Sequence, residues 1–167
     1  AGIEDLEALE RGLADGSVEA LPRMGRKTID NLQASIAFMK SSGDRRRIGE
    51  ALPLAEEMIA RLLEVPGVRR ADFAGSLRRG LETIGDIDLL VVADDAEAAG
   101  EAFRTQPGVT EVLLGGATKS SVRTEDGFQV DLRIVSEEVW GAALMYFTGS
   151  KEHNVALRER AIARGLR

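Results

Sequence analysis

Two aspartates one residue apart, Asp86 and Asp88, open an apolar run that continues Leu89-Leu90-Val91-Val92. A run of this kind reads as a buried strand, and strand side chains alternate between faces. The two carboxylates therefore stand side by side, while Ile87 points the other way, into the core. Adjacent carboxylates repel and are costly unless a cation lies between them. Oxygen donors of this type suit Mg²⁺. Just upstream, Gly75-Ser76 follows a strand-like run. There, backbone N–H groups and a hydroxyl can come close to a phosphate. Arg78 and Arg79 add charge-assisted donors. The stretch from Ala74 to Asp88 thus combines the parts of a metal site and a phosphate site.

The 167 residues suffice for a sizeable core, in one domain or in one with a small companion. The apolar fraction of 44% is that of a globular chain. Cysteine is absent, which removes disulfides and thiolate metal sites and fits a reducing, cytoplasmic setting. No apolar run approaches the roughly 20 residues of a membrane span. The net charge of −6 argues against indiscriminate nucleic-acid binding. The charges are unevenly spread, however. Residues 1–20 hold six acids and one base, while Arg45-Arg46-Arg47, Arg69-Arg70, Arg78-Arg79 and Arg158, Arg160, Arg164 and Arg167 form basic clusters. A local basic face on an acidic protein is compatible with this. The chain begins with Ala and stops within a helical pattern, so a longer natural protein is expected.

Along the chain, residues 3–13 read as a helix with Leu6, Leu9 and Leu13 on one stripe. A turn and Leu21-Pro22-Arg23-Met24-Gly25 lead to a second helix from Arg26 to about Met39, with Ile29, Leu32, Ile36 and Met39 at helical spacing. This arrangement resembles a helix-hairpin-helix unit, whose hairpin and following helix offer N–H groups to a DNA phosphate. Gly25 and Lys27 are the candidate DNA contacts. Arg23 stands where such units usually carry Gly, and an ordinary helical corner is the plainer alternative. Ser41-Ser42-Gly43-Asp44 is a break and a candidate subdomain boundary. The arginine triplet after it reads as the solvated start of a helix. That helix spans residues 49–64, with Pro53 in its first turn or at a kink.

From Val68 the pattern becomes α/β. Strands are expected over 68–74, 84–93, 110–114, 118–123 and 128–135, with a hairpin turn at Asp126-Gly127. Helices are expected over 95–105, from a Ser136 cap to about Phe147, and from a Ser150 cap to about Arg164. In the strand 128–135, Gln129, Asp131 and Arg133 share a face. Asp131 is thus a third carboxylate, on a strand that pairs readily with that of Asp86 and Asp88. Three carboxylates on neighbouring strands can hold two divalent ions about 3.5–4 Å apart, the arrangement used for phosphoryl transfer. Pairing of Asp131 with Arg133 is the plainer alternative.

Gly75-Ser76 with Gly85-Asp86-Ile87-Asp88 matches the nucleotidyltransferase signature. In its longer form GSLRRGLETIGDID, and with Tyr146–Asn154 (YFTGSKEHN), the sequence resembles the family X DNA polymerases, the polymerase-beta-like group, and most of all their bacterial members. The resemblance extends over essentially the whole chain. It implies an α+β fold: a helical, helix-hairpin-helix-like fingers region over 1–65, then a mixed-sheet nucleotidyltransferase palm over 66–167 that ends before the thumb.

The resemblance further implies that Asp86, Asp88 and Asp131 are the metal ligands and catalytic acids. Asp131 lies nearest the primer 3′-hydroxyl. Ser76, Arg79, Gly75, Gly85 and Arg46 would contact the nucleotide phosphates. Tyr146, Phe147 and Gly149 would lie against the sugar. Asn154 and Arg158, four apart on one helical face, would reach the nascent base pair and the template. Lys151 departs from the Asp of animal relatives, and Gln129 replaces a basic residue present in some relatives. Two Mg²⁺ ions, or Mn²⁺, are the implied cofactors. A gapped or primed DNA duplex and a dNTP are the implied partners of a monomer acting in gap-filling repair.

A template-independent or small-molecule nucleotidyltransferase and a non-catalytic DNA-binding module are the alternatives. Weak nucleotide and metal binding and poor extension are expected of these residues alone. Among the plainer roles, Arg78 is expected to pair with Glu82, Trp140 and Met145 to be core, and His153 to be a surface or supporting residue.

Overall fold

The computed structural model describes residues 3, 5–22, 24–41 and 45–166. The chain divides into two units, Ala1–Gly43 and Asp44–Arg167. In the first, α1 (Leu6–Ala14) is capped by Asp5, whose Oδ1 accepts the Ala8 N–H at 2.7 Å. Turns follow to α2 (Arg26–Ser41), whose first turn closes with Ile29 N–H donating to the Gly25 carbonyl at 3.1 Å. Val18 and Ile36 are buried in this unit. Gly25 and Lys27 are exposed at the start of α2, and Arg23 lies outside the described residues.

The second unit begins with β1 (Arg46–Arg47) and α3 (Ile48–Leu63). It continues through β2 (Val68–Phe73), α4 (Gly75–Arg78), β3 (Thr83–Ile84), β4 (Asp86–Ala93) and α5 (Ala96–Arg104). The strands β5 (Val109–Gly115), β6 (Lys119–Thr124) and β7 (Gln129–Val135) follow, then a 3-10 turn over Glu137–Val139, α6 (Trp140–Thr148) and α7 (Lys151–Ala163). Five strands form one mixed sheet in the order β2-β4-β7-β6-β5. Only the central pair, β4 and β7, is parallel. The fold is α+β and palm-like, as the motif resemblance implied.

The two faces of the sheet follow from strand alternation. Ile87, Leu89 and Val91 of β4 and Val130, Leu132 and Ile134 of β7 point to one face. There they pack with Met58 and Leu62 of α3 and Phe103 of α5. Each fully buried aliphatic side chain contributes about 1.5–3 kcal/mol through the water it sheds. The structural division accordingly falls at the Ser41–Asp44 break, not after residue 65. The apolar side of α3, with Ala51, Ala55, Met58 and Leu62, is part of the core of the sheet. On the opposite face, Leu90 and Val92 are covered by Trp140 and α6. The N-terminal end of β4 on that face, where Asp86 and Asp88 stand, falls outside the apolar cluster beneath α6.

Several local expectations differ from the structure. The exposed arginine triplet leads into α3, whose N-cap is Arg47, but it also pairs as a strand. Arg46 and Arg47 form β1, paired antiparallel with Ile84 and Thr83. This pairing also splits the expected strand 84–93 at Gly85. Pro53 lies inside α3 beyond its first turn. Ser136 makes no side-chain cap, and the 3-10 turn intervenes before α6. Ser150 does cap α7, its Oγ accepting the His153 N–H at 3.5 Å. Trp140 is buried, with the Arg70 guanidinium 4.5 Å above its ring. Met145 is 47% exposed and is not a core residue. His153 is exposed.

Candidate active site

Asp86 and Asp88 leave β4 on one face and line a cleft of about 540 Å³. The β4–β7 register places Asp88 directly beside Asp131. Burial, reinforced by repulsion from Asp131, raises the pKa of Asp86 against the pull of Arg45 and Arg79. Burial, with repulsion from Asp86 and then Asp131, pushes Asp88 up to about 6, against the pull of Arg133 and Arg79. Two like charges are therefore held together at an energetic cost. A bound cation would remove that cost.

The turn after β2 is shaped around this pair. Gly75 has φ +58°, and a Cβ there would overlap the Asp88 carboxylate. Only glycine lets the backbone come so near the strand. Ser76 is buried, and its Oγ has no partner among the described residues. It lines the cleft and is free to bond a ligand. Arg79 closes α4 and donates from Nη1 to the Thr148 carbonyl, which fixes its guanidinium against the Thr148–Gly149 wall. Gly149 has φ +72°, and a Cβ there would stand 3.2 Å from Arg79 Nη1. Its peptide bond to Ser150 is cis.

Tyr146 and Phe147 supply the facing wall, their rings edge-to-face at 5.2 Å. Arg133 lies 5.3 Å over the Phe147 ring and so does not pair with Asp131. Asn154 donates from Nδ2 to the Tyr146 carbonyl at 2.7 Å, tying α7 to α6. Arg158 lies one turn further along α7, and Lys151 stands at its start; all three line the cleft.

The cleft thus gathers Gly75, Ser76, Arg79, Asp86, Asp88, Tyr146, Phe147, Gly149, Asn154 and Arg158. Gly85 adjoins its rim, where a Cβ would stand 3.3 Å from Arg45 Nη1. Asp131 is next to the cleft but turned toward β6. Its Oδ1 accepts from Ser121 Oγ at 2.7 Å and from Gln129 Nε2 at 2.9 Å. Lys119 Nζ stands 3.6 Å from its Oδ2. With Asp131 held in this way, no three acidic, His or Cys side chains among the described residues are arranged to grip one ion.

Arg46 is not at the cleft. Its guanidinium lies 5.2 Å over the Phe128 ring and 3.8 Å from Glu50. Arg45 takes the rim position instead, fixed by its Nε donating to Thr83 Oγ1 at 2.9 Å and its Nη2 to the Thr83 carbonyl. Arg45 precedes β1, where Thr83 holds it at the rim, whereas Arg46, within the strand, turns to Phe128 and Glu50. Arg78 turns away to Asp72 at 2.8 Å rather than to Glu82, because α4 ends at Arg78 and cannot present an i+4 partner. Sequence reasoning also missed Leu81 and Val155, which line the cleft as exposed apolar residues.

Comparison with known proteins gives the site its context. A family model described as DNA polymerase beta thumb matches residues 143–167. The DNA polymerase/3′-5′ exonuclease PolX of Bacillus subtilis is 32% identical over 168 residues, a match that takes in 99% of this chain. The chain is thus similar to a PolX-type polymerase and, in its last part, to the polymerase beta thumb. The chain spans 30% of the length of that Bacillus protein. A solved polymerase beta from Leishmania infantum, in a ternary gap complex, superposes with a TM-score of 0.66 at 19% identity. That superposition covers 98% of this chain and 60% of the other, and shows a shared fold.

The donors present here fit a divalent metal ion. Two half-buried carboxylates share a face, both with raised pKa, and a third stands beside them on the adjacent strand. All are hard oxygen donors of the kind Mg²⁺ and Mn²⁺ take. The thumb match covers the second part of α6 and all of α7, the elements that carry Tyr146, Asn154 and Arg158.

Proposed function

We propose that this chain carries the nucleotidyl-transfer site of a DNA-directed DNA polymerase, adding dNTPs to a primer 3′-hydroxyl in gap-filling repair. One observation carries the reading: a crowded carboxylate pair shares a single cleft with an unpartnered serine hydroxyl and an anchored arginine. This is what a metal-bound triphosphate needs. Asp86, Asp88 and Asp131 would hold two Mg²⁺ ions, or Mn²⁺. When bound, such ions acidify an attacking hydroxyl and carry the charge of the departing pyrophosphate.

The residues of the chain do the rest. Ser76 Oγ and the Arg79 guanidinium bind phosphate oxygens, and Arg79 is pre-oriented by the Thr148 carbonyl. Gly75 and Gly85 let the backbone approach closely. Arg45, rather than Arg46, adds positive charge at the rim. Tyr146, Phe147 and Gly149 form the sugar wall, and Asn154 and Arg158 face the base pair and the template. Asp131 accepts the proton of the primer hydroxyl.

Gly25 and Lys27, at the exposed start of α2, contact duplex phosphate within a fingers region formed by the first unit. The palm follows with α3 in its core, and residues 143–167, which match the polymerase beta thumb, carry the chain into the thumb rather than ending before it. No helix among the described residues is long and apolar enough to cross a membrane. A monomer working in the bacterial cytoplasm is the setting proposed.

Single-turnover extension of a one-nucleotide gap, with the chain in excess over DNA and Mn²⁺ present, tests this. Insertion of the templated dNTP alone is expected, at a low rate. Insertion of all four regardless of template would refute a templated polymerase. Failure to bind any dNTP in the presence of Mn²⁺ would refute the nucleotide site.

A further inference from the structure

Asp131 is held quite differently from its two companions. Hydrogen bonds and an ion pair from described side chains reach its carboxylate, from Ser121, Gln129 and Lys119. The sheet register explains how. Ser121 of β6 lies directly opposite Asp131 of β7, and Lys119 lies directly opposite Arg133. All four side chains share the face of Asp86 and Asp88. Two cations directly opposite each other repel. The structure resolves this by leaning them apart: Arg133 stacks on Phe147, and Lys119 reaches diagonally to Asp131 Oδ2 at 3.6 Å. Both members of the pair are partly shielded from solvent, Lys119 being 34% and Asp131 19% exposed at the side chain. Gln129, two residues before Asp131 on the same strand face, donates its amide to Oδ1 and brings no charge. Lys119 is thus the cation that meets the third carboxylate.

We propose that Lys119, Ser121 and Gln129 clamp Asp131 back from the Asp86–Asp88 pair, with Lys119 the positioning residue that sets how tightly the three carboxylates take a divalent cation. The proposal rests on the metal-site reading above. A cation shared by all three carboxylates must draw Asp131 Oδ2 away from the ammonium group, so binding gives up that ion pair. The Ser121 and Gln129 donors bond the other oxygen and need not be lost.

The test is Mn²⁺ titration of the intact chain, with free Mn²⁺ followed by electron paramagnetic resonance. Lys119→Met is expected to bind Mn²⁺ roughly five-fold more tightly than wild type, the scale of one partly exposed ion pair. Lys119→Arg, which keeps the charge, is expected to stay at wild-type affinity. The gain should vanish in an Asp131→Asn background. Lys119→Gln, with a polar tip, should show the same gain and replaces the Met variant should that fail to fold by circular dichroism. Unchanged or weaker binding in the folded charge-free variants overturns the proposal. A gain that persists with Asp131→Asn also overturns it, because Lys119 would then act on Asp86 and Asp88 by charge alone. Mn²⁺ binding undiminished by Asp86→Asn and Asp88→Asn together refutes the metal-site reading itself.

Discussion

Removing one charge from the crowded pair should stabilise the cation-free chain at neutral pH. The perturbation is Asp88→Asn, which keeps the shape of the side chain and deletes its charge. In the folded chain the Asp88 pKa lies at about 6, against 3.8 for the free side chain, because burial and the neighbouring Asp86 and Asp131 oppose ionisation. Between those values the folded state holds a proton that the unfolded state has released. Stability therefore falls as pH rises through this window, and the whole cost is present above about pH 6. A tenfold change in acidity is worth about 1.36 kcal/mol, so the displacement corresponds to roughly 3 kcal/mol, reduced to about 1–3 kcal/mol by solvent screening of a half-buried group. Urea unfolding in chelator at pH 4 and at pH 7.5 measures the effect. Asp88→Asn should equal wild type at pH 4 and exceed it by about 1–3 kcal/mol at pH 7.5. Millimolar Mg²⁺ should raise wild type and not the variant, by mass action on the folded form. An Asn variant less stable than wild type at pH 7.5, or the same difference at both pH values, would refute the reasoning.

Three further outcomes follow from the same geometry. Gly75→Ala places a Cβ against the Asp88 carboxylate at φ +58°, and should cost about 1–3 kcal/mol in urea unfolding while weakening Mn²⁺ binding. Arg45→Ala should weaken dNTP binding by roughly three- to ten-fold in calorimetric titration, whereas Arg46→Ala should leave that affinity unchanged and lose about 0.5–1 kcal/mol of stability with its Phe128 contact. Arg79→Lys keeps the charge but loses the fork held by the Thr148 carbonyl, so dNTP affinity should still drop by roughly ten-fold. Wild-type affinity in that variant would mean that the guanidinium geometry is not used.

Much of the architecture was legible from local pattern. The strand alternation that sets Ile87 inward and Asp86 and Asp88 outward recurs in the structure residue for residue. Ser150 was readable as a cap from its place before a polar helical segment, and its hydroxyl meets the His153 N–H. The errors share a cause. The resemblance puts Arg46 at the phosphates and the apolar pattern puts Met145 in the core, yet Arg46 turns to Phe128 in the structure, and α6 leaves Met145 exposed. Nothing local to either residue signals the partner that decides its direction. The pairing of Arg46 with Ile84 joins residues 38 apart in the chain, and such a contact leaves no mark on the hydrophobic period of either segment.

The Asp86–Asp88 pair is the clearest case of this division. That the two carboxylates lie side by side, next to a glycine-serine turn and at the start of a buried strand, was determined by the sequence alone. The reason is that a two-residue period is a property of the extended backbone itself. What only the tertiary structure decided is the company they keep. The parallel pairing of β4 with β7 sets Asp131 beside Asp88, and the antiparallel pairing of β7 with β6 brings Lys119 and Ser121 to hold it. Those registers depend on how two sheet faces bury their apolar residues against α3, α5 and α6, a balance struck over the whole unit rather than within any strand.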